Sequence, residues 1–147
     1  MTRTDTPETT RPESIDPLIA LFGEPIHVYT RAQAITDEVL RDITTTAREA
    51  GFLVPTAITS AAWTHAVAWD DTSRFLQDED GRLWDVLRAA HLTIRLGAVT
   101  DPRVPFTVRR FPNRPGPRRL EAIDLIAHLG PGDAGEPVVT IMLPTED

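Results

Sequence analysis

The chain has 147 residues with 22 acids against 15 bases, a net charge of −7, and is long enough for one domain that buries roughly two-thirds of its unfolded surface. Cysteine is absent, which excludes a disulfide framework and a thiolate metal site, and no apolar run approaches the roughly 20 residues that span a bilayer. All 15 bases are arginine; codon usage in a GC-rich genome explains this, and selection for forked guanidinium–carboxylate contacts is the alternative.

Met1 to Asp16 is polar, carries Pro7 and Pro12 and has no apolar core, so it reads as a disordered leader rather than a secretory signal. The domain is expected from 17 to 147. Apolar content starts at Ile15 and Leu18 to Phe22, a short helix ended by Gly23. Ile26 to Tyr29 alternates as a strand would, and Thr30 caps a helix over Arg31 to Ile35. Glu38 to Ile43 fits a strand or a helical turn equally. Thr44 to Gly51 predicts a helix with Thr44 as cap and Gly51 as terminator, after which Phe52 and Val54 pack near Pro55. Thr59 caps a helix to about Trp69, with Ala62, Trp63, Ala66, Val67 and Trp69 on its apolar face, and Asp70 to Ser73 forms a turn.

From Asp78 to about Gly97 the residues Leu83, Trp84, Leu87, Ala90 and Ile94 recur at helical spacing. Asp78, Glu79 and Asp80 fall where the backbone N–H groups and the positive end of the dipole favour acids. This is the expected central helix, with Trp84 and Leu87 buried and Arg82, Asp85 and Arg88 in water. Leu92 to Leu96 alternates as a strand could; a continuing helix is preferred because no turn residue separates it from Leu87.

Beyond Gly97, Val104, Phe106, Val108 and Phe111 predict a strand with outward arginines, followed by a proline-rich loop. Leu120 to Leu129 satisfies strand and helix periods in part, and both stay open. Gly130 to Gly135 is a turn, and Val138 to Leu143, apolar on both sides, is a central or near-central strand. The expected fold is α+β: an antiparallel sheet made mainly of the C-terminal strands, packed on about three helices.

Charge is unevenly spread. Arg103 to Arg119 holds six arginines and no acid, whereas Leu120 to Asp147 holds six acids and no arginine. Interleaved with Phe106 and Phe111, the first segment suits a nucleic-acid backbone, with Arg109, Arg110, Arg114, Arg118 and Arg119 as contacts. An outward arginine face paired with the acidic C-terminal strands explains the same residues. Asp78, Glu79, Asp80 and Arg82 form a candidate interface, and the acids lack the spacing of a calcium loop.

Catalytic signatures are thin. His27, His65, His91 and His128 show no zincin-like or cysteine-associated spacing, and Ser14, Ser60 and Ser73 sit in no nucleophile motif. His91 reads as a hydrogen-bonded residue at the core's edge; with Asp85 it gives a remote hydrolase alternative. No catalytic residue, cofactor or metal is assigned.

Four blocks carry a resemblance: Phe22 to Ile26 with Tyr29 to Ala34; Ala50 to Phe52 with Pro55 and Trp63; Asp80 to Leu87; and Gly130 to Asp133 with Glu136-Pro137 and Thr140 to Pro144. Together they resemble a family of small uncharacterised bacterial proteins, a domain of unknown function found as cargo of phages, plasmids and integrated elements. Val99 to Arg119 matches none of these blocks. The resemblance implies a cytoplasmic accessory protein of a mobile element and brings no activity or site residue with it. The expectation is therefore a non-enzymatic protein that binds a host or element-encoded protein, with nucleic-acid association as the alternative and no membrane contact.

Overall fold

The computed structural model describes residues 29–70, 78–97, 100–114 and 119–147. The expected leader, the helix over 15–22, most of the strand over 26–29, the turn at 71–73, His27 and Arg118 lie outside the described residues.

Helix α1 (Arg31–Thr36) opens with a capping box: the Thr30 hydroxyl accepts from the Gln33 amide at 3.0 Å, and the Gln33 side chain accepts from the Thr30 amide at 2.9 Å. Strand β1 (Leu40–Asp42) resolves the ambiguity over 38–43. Helix α2 (Thr44–Ala50) ends at Gly51 in the left-handed region, φ 112°, as expected. Its start departs from expectation: Ile43 occupies the cap position, and Thr44 is the first helical residue. The Asp42 carboxylate caps instead, accepting from the Thr44 amide at 3.0 Å and its hydroxyl at 2.6 Å.

Strand β2 (Thr56–Thr59) was not expected, because four buried residues without alternation run straight into helix α3 (Ser60–Ala66). Thr59 caps α3 as its sequence suggests, accepting from Ala62 at 3.1 Å. Helix α4 (Glu79–Leu96) is continuous through 92–96 and is capped by Asp78, whose carboxylate accepts from Gly81 at 2.6 Å. Strands β3 (Arg103–Arg110), β4 (Glu121–Pro131) and β5 (Pro137–Met142) follow, so 120–129 is strand rather than helix.

The sheet runs β1-β2-β5-β4-β3, with β2 and β5 parallel and every other neighbouring pair antiparallel. The fold is thus α+β, with the C-terminal hairpin at the centre of a mixed sheet. Register assigns the faces. Ile58, Val108, Phe106, Leu125, Ala127, Val139 and Ile141 point to the side covered by α2, α3 and α4, and join Ala47, Ala62, Val86 and Leu87 in one core. Full burial of each large apolar side chain contributes about 1.5–3 kcal/mol. Thr140 lies on the opposite face, where Arg31 at the start of α1 donates to its hydroxyl at 2.7 Å and to the Val139 carbonyl at 2.9 Å.

Two side chains of α4 depart from expectation. Arg82 is buried, with 2% of its surface exposed, instead of standing in water. Trp84 is only half-buried and lies under the Arg88 guanidinium, 5.8 Å from the ring centre. Trp63 and Trp69 are likewise covered by Arg41 and Arg82 at 4.2 and 4.8 Å, so each tryptophan of the chain carries an arginine.

Candidate functional site

Strand β3 carries the start of the basic segment and lies at an edge of the sheet. Val104, Phe106 and Val108 are buried, while Pro105, Thr107 and Arg109 are exposed on the other face. The Leu129 amide donates to the Pro102 carbonyl at 2.8 Å, and Arg103 stands opposite His128. In an antiparallel ladder this makes the even-numbered residues of β3 the ones that bond to β4. The odd-numbered residues turn their backbone groups outward. Pro105 then costs no ladder bond, which is the reason a proline is tolerated there. Thr107 and Arg109 present amides, and Pro105, Thr107 and Arg109 carbonyls, along an edge that no strand covers among the described residues.

The arginines proposed to meet a nucleic acid do not share one surface. Arg110 is only 4% exposed: its guanidinium donates to the Arg82 carbonyl and lies 3.6 Å from the Asp85 carboxylate. Arg114 is paired with Glu121 on β4, the arginine–acidic-strand contact that the charge pattern suggested. That pairing holds the Glu121 carboxyl below and the Arg114 guanidinium above their ordinary ranges. Arg103 donates to Met142 Sδ at 3.5 Å and to the Pro144 carbonyl at 3.2 Å. Arg109 and Arg119 are exposed, and neither forms an ion pair with another described residue. Arg118 is outside the described residues.

Arg82 and Arg110 make a buried cationic pair that sequence reasoning did not find. Arg82 Nε donates to the Val67 carbonyl at 2.8 Å and Nη1 to the Phe111 carbonyl at 3.1 Å. One guanidinium therefore joins the end of α3, the start of α4 and the exit of β3. Arg82 Nη2 and Arg110 Nε are buried without a partner. Burial first, then repulsion from Arg110, pushes Arg82 down to about 10, and burial lowers Arg110 as well, against the opposing pull of Asp85. The signal lay in spacing: Arg82, Val86 and Ala90 are four apart and share a helix face.

The acidic start of α4 is exposed at Asp78, Glu79 and Asp80, but Arg82 does not stand with them as an interface residue because its side chain is turned into the core. With Trp69 the three acids line a shallow recess of about 290 Å³, where the Glu79 carboxylate accepts from the Trp69 amide at 3.1 Å. A second hollow of about 200 Å³ is walled by Arg31, Asp42, Thr56, Asp133 and Glu136. There Asp133 accepts from the Arg31 and Ala32 amides at 2.8 and 3.0 Å, clasping the β4–β5 turn to the start of α1.

Histidines are dispersed. His65 is exposed on α3, His128 lies on β4, and His91 packs on Phe52 with ring centres 5.5 Å apart and closes over Gly51. Asp85 and His91 are six residues apart on α4, so their side chains diverge by roughly 120° and do not converge on one atom. Among the described residues, no group of three or more histidines or acids is placed to hold a metal ion, and no helix is long and apolar enough to cross a membrane.

The sequence matches the model of one protein family, described as a family of unknown function (DUF6573), over residues 21–147. The bounds of the match include 99–119, which lie outside the four resembling blocks. No curated protein and no solved structure matches the chain.

Proposed function

We propose that this chain, which belongs to that family of unknown function, is a non-enzymatic, cytoplasmic accessory protein of a mobile element that binds a host or element-encoded protein. The mobile-element setting rests on the block pattern of the sequence. Protein binding rests on one observation: the outward edge of β3, with two amides and three carbonyls directed away from the sheet. Such an edge pairs with an extended segment of another chain, main-chain bonds supplying affinity. The exposed Arg109 side chain on that strand favours an acidic segment. A second copy of β3 is disfavoured there, because antiparallel self-pairing brings its arginines together.

Nucleic-acid association draws less support, since Arg110 is buried and Arg114 is neutralised by Glu121. Two exposed arginines give a weak footprint by counterion release.

The test is affinity capture with the wild-type chain beside Thr107→Pro, which removes an outward amide, and Arg109→Glu. The expected result is a partner that the wild type retains and both variants lose, with the amides of Thr107 and Arg109 becoming protected from exchange in the complex. A partner retained equally by both variants overturns the edge reading. Binding of mixed DNA and RNA oligonucleotides that collapses with salt and with Arg109→Glu/Arg119→Glu establishes the nucleic-acid alternative instead.

A further inference from the structure

The outward face of α4 carries a repeat of exposed residues. Gly81, Asp85, Arg88, Leu92 and Arg95 are exposed and recur at alternating steps of four and three, the spacing of a helix–helix seam. Leu92 and Leu96 are 53% and 79% exposed, although both lie on an ordered helix beside a fully formed core. Charge is sorted along the same face: Asp78 and Asp85 lie in its first half, Arg88 and Arg95 in its second. Asp85 remains 67% exposed despite its contact with Arg110.

We infer that two copies of this chain associate through α4 in an antiparallel, two-fold arrangement. Setting Asp85 against Arg88 of the other copy also sets Gly81 against Leu92 and Asp78 against Arg95, each contact occurring twice. Leu92 then lies over the Gly81 backbone, beside the Asp78 carboxylate that accepts from the Gly81 amide. A parallel pairing instead places acid on acid and base on base, so the charge order itself selects a second, reversed copy over a parallel one.

Magnitude fixes the kind of dimer. An 18-residue helix is about 27 Å long, so one helix pair falls at the small end of specific interfaces. The ion pairs are exposed and screened by salt. The expected dissociation constant is on the order of tens of micromolar at low salt, weakening as salt rises.

Sedimentation velocity over a concentration series measures this directly. Wild type is expected to show a reversible monomer–dimer equilibrium, which Leu92→Glu and Arg88→Glu each weaken at least roughly tenfold while far-UV circular dichroism stays unchanged. Because the chain has no cysteine, register is testable with single-cysteine variants. Gly81→Cys mixed with Leu92→Cys should form the mixed disulfide dimer in preference to either homodimer. A chain that stays monomeric to roughly millimolar concentration overturns the inference. So does a dimer indifferent to Leu92→Glu, or one whose cysteines cross-link 81 to 81. Thr107→Pro, which acts at the β3 edge, should leave the dimer intact, so failure here is separable from failure of the partner reading.

Discussion

Arg82 and Gly51 show how single residues hold junctions between elements. Arg82 bonds two carbonyls that end different elements, at Val67 and Phe111, from a position with almost no solvent. Arg82→Met fills much of the volume and relieves repulsion on Arg110, yet removes the guanidinium donor from both carbonyls, and a buried polar group left unmet costs about 1–3 kcal/mol. The net expectation is a loss of about 2–4 kcal/mol in urea unfolding. Gly51 holds φ 112°, and a Cβ there would stand 2.8 Å from the His91 ring. Gly51→Ala should therefore cost about 1–3 kcal/mol, from left-handed backbone strain plus the contact. Combining it with His91→Ala removes the contact but not the strain, so the double variant recovers only part of the loss. The glycine was legible from the sequence as a helix terminator; the ring above it was not, because His91 is forty residues away in the chain. Arg82 was misread because charge was weighed before periodicity.

Among the elements, the late hairpin and the long helix were legible because each carries a strong local pattern: β5 is apolar on both sides and α4 repeats its apolar residues without a break. Strand β2 was not. Its four residues earn strand geometry only from β1 on one side and β5 on the other, and β5 arrives some eighty residues later. Helix α1 was legible through Thr30, but the Gln33 half of its capping box and what fixes the helix in place were not, since Asp133 reaches it from the far turn. This clasp has a pH signature. Two amide donors, of Ala32 and Arg31, hold the Asp133 carboxyl below its ordinary value of 3.8. The folded pKa lies below the unfolded one, so the stabilisation is fully present above the unfolded value and is lost as pH falls through the folded one. Asp133→Asn should melt at a lower temperature than wild type at neutral pH. The gap should close as both proteins are acidified below about pH 4, and thermal melts between pH 7 and pH 2 measure it. A gap that is constant with pH would mean the carboxylate charge contributes nothing.

For the whole molecule, the core decides how the chain comes apart. Helices α2, α3 and α4 and strands β2 to β5 all contribute buried residues to one cluster, whereas α1 sits on the other face and is held by Arg31 and Asp133. Ile141 lies at the middle of that cluster on β5, fully buried, opposite Ile58 on one neighbour and Ala127 on the other. Ile141→Ala should cost about 2–5 kcal/mol, the transfer free energy of the lost methyl groups plus the cavity they leave. Since the same cluster holds the sheet against the helices that carry Trp63 and Trp84, that loss should move the whole domain together. Urea unfolding followed by far-UV circular dichroism and by tryptophan fluorescence is expected to give one transition, with coincident midpoints shifted equally in the variant. If fluorescence fell before the circular dichroism signal, the helical layer would be separable from the sheet, and the single-core account would fail. The β3 edge depends on this outcome: a strand that stays pinned by Phe106 and Val108 in a cooperative core can offer its outer backbone to a partner without unfolding first.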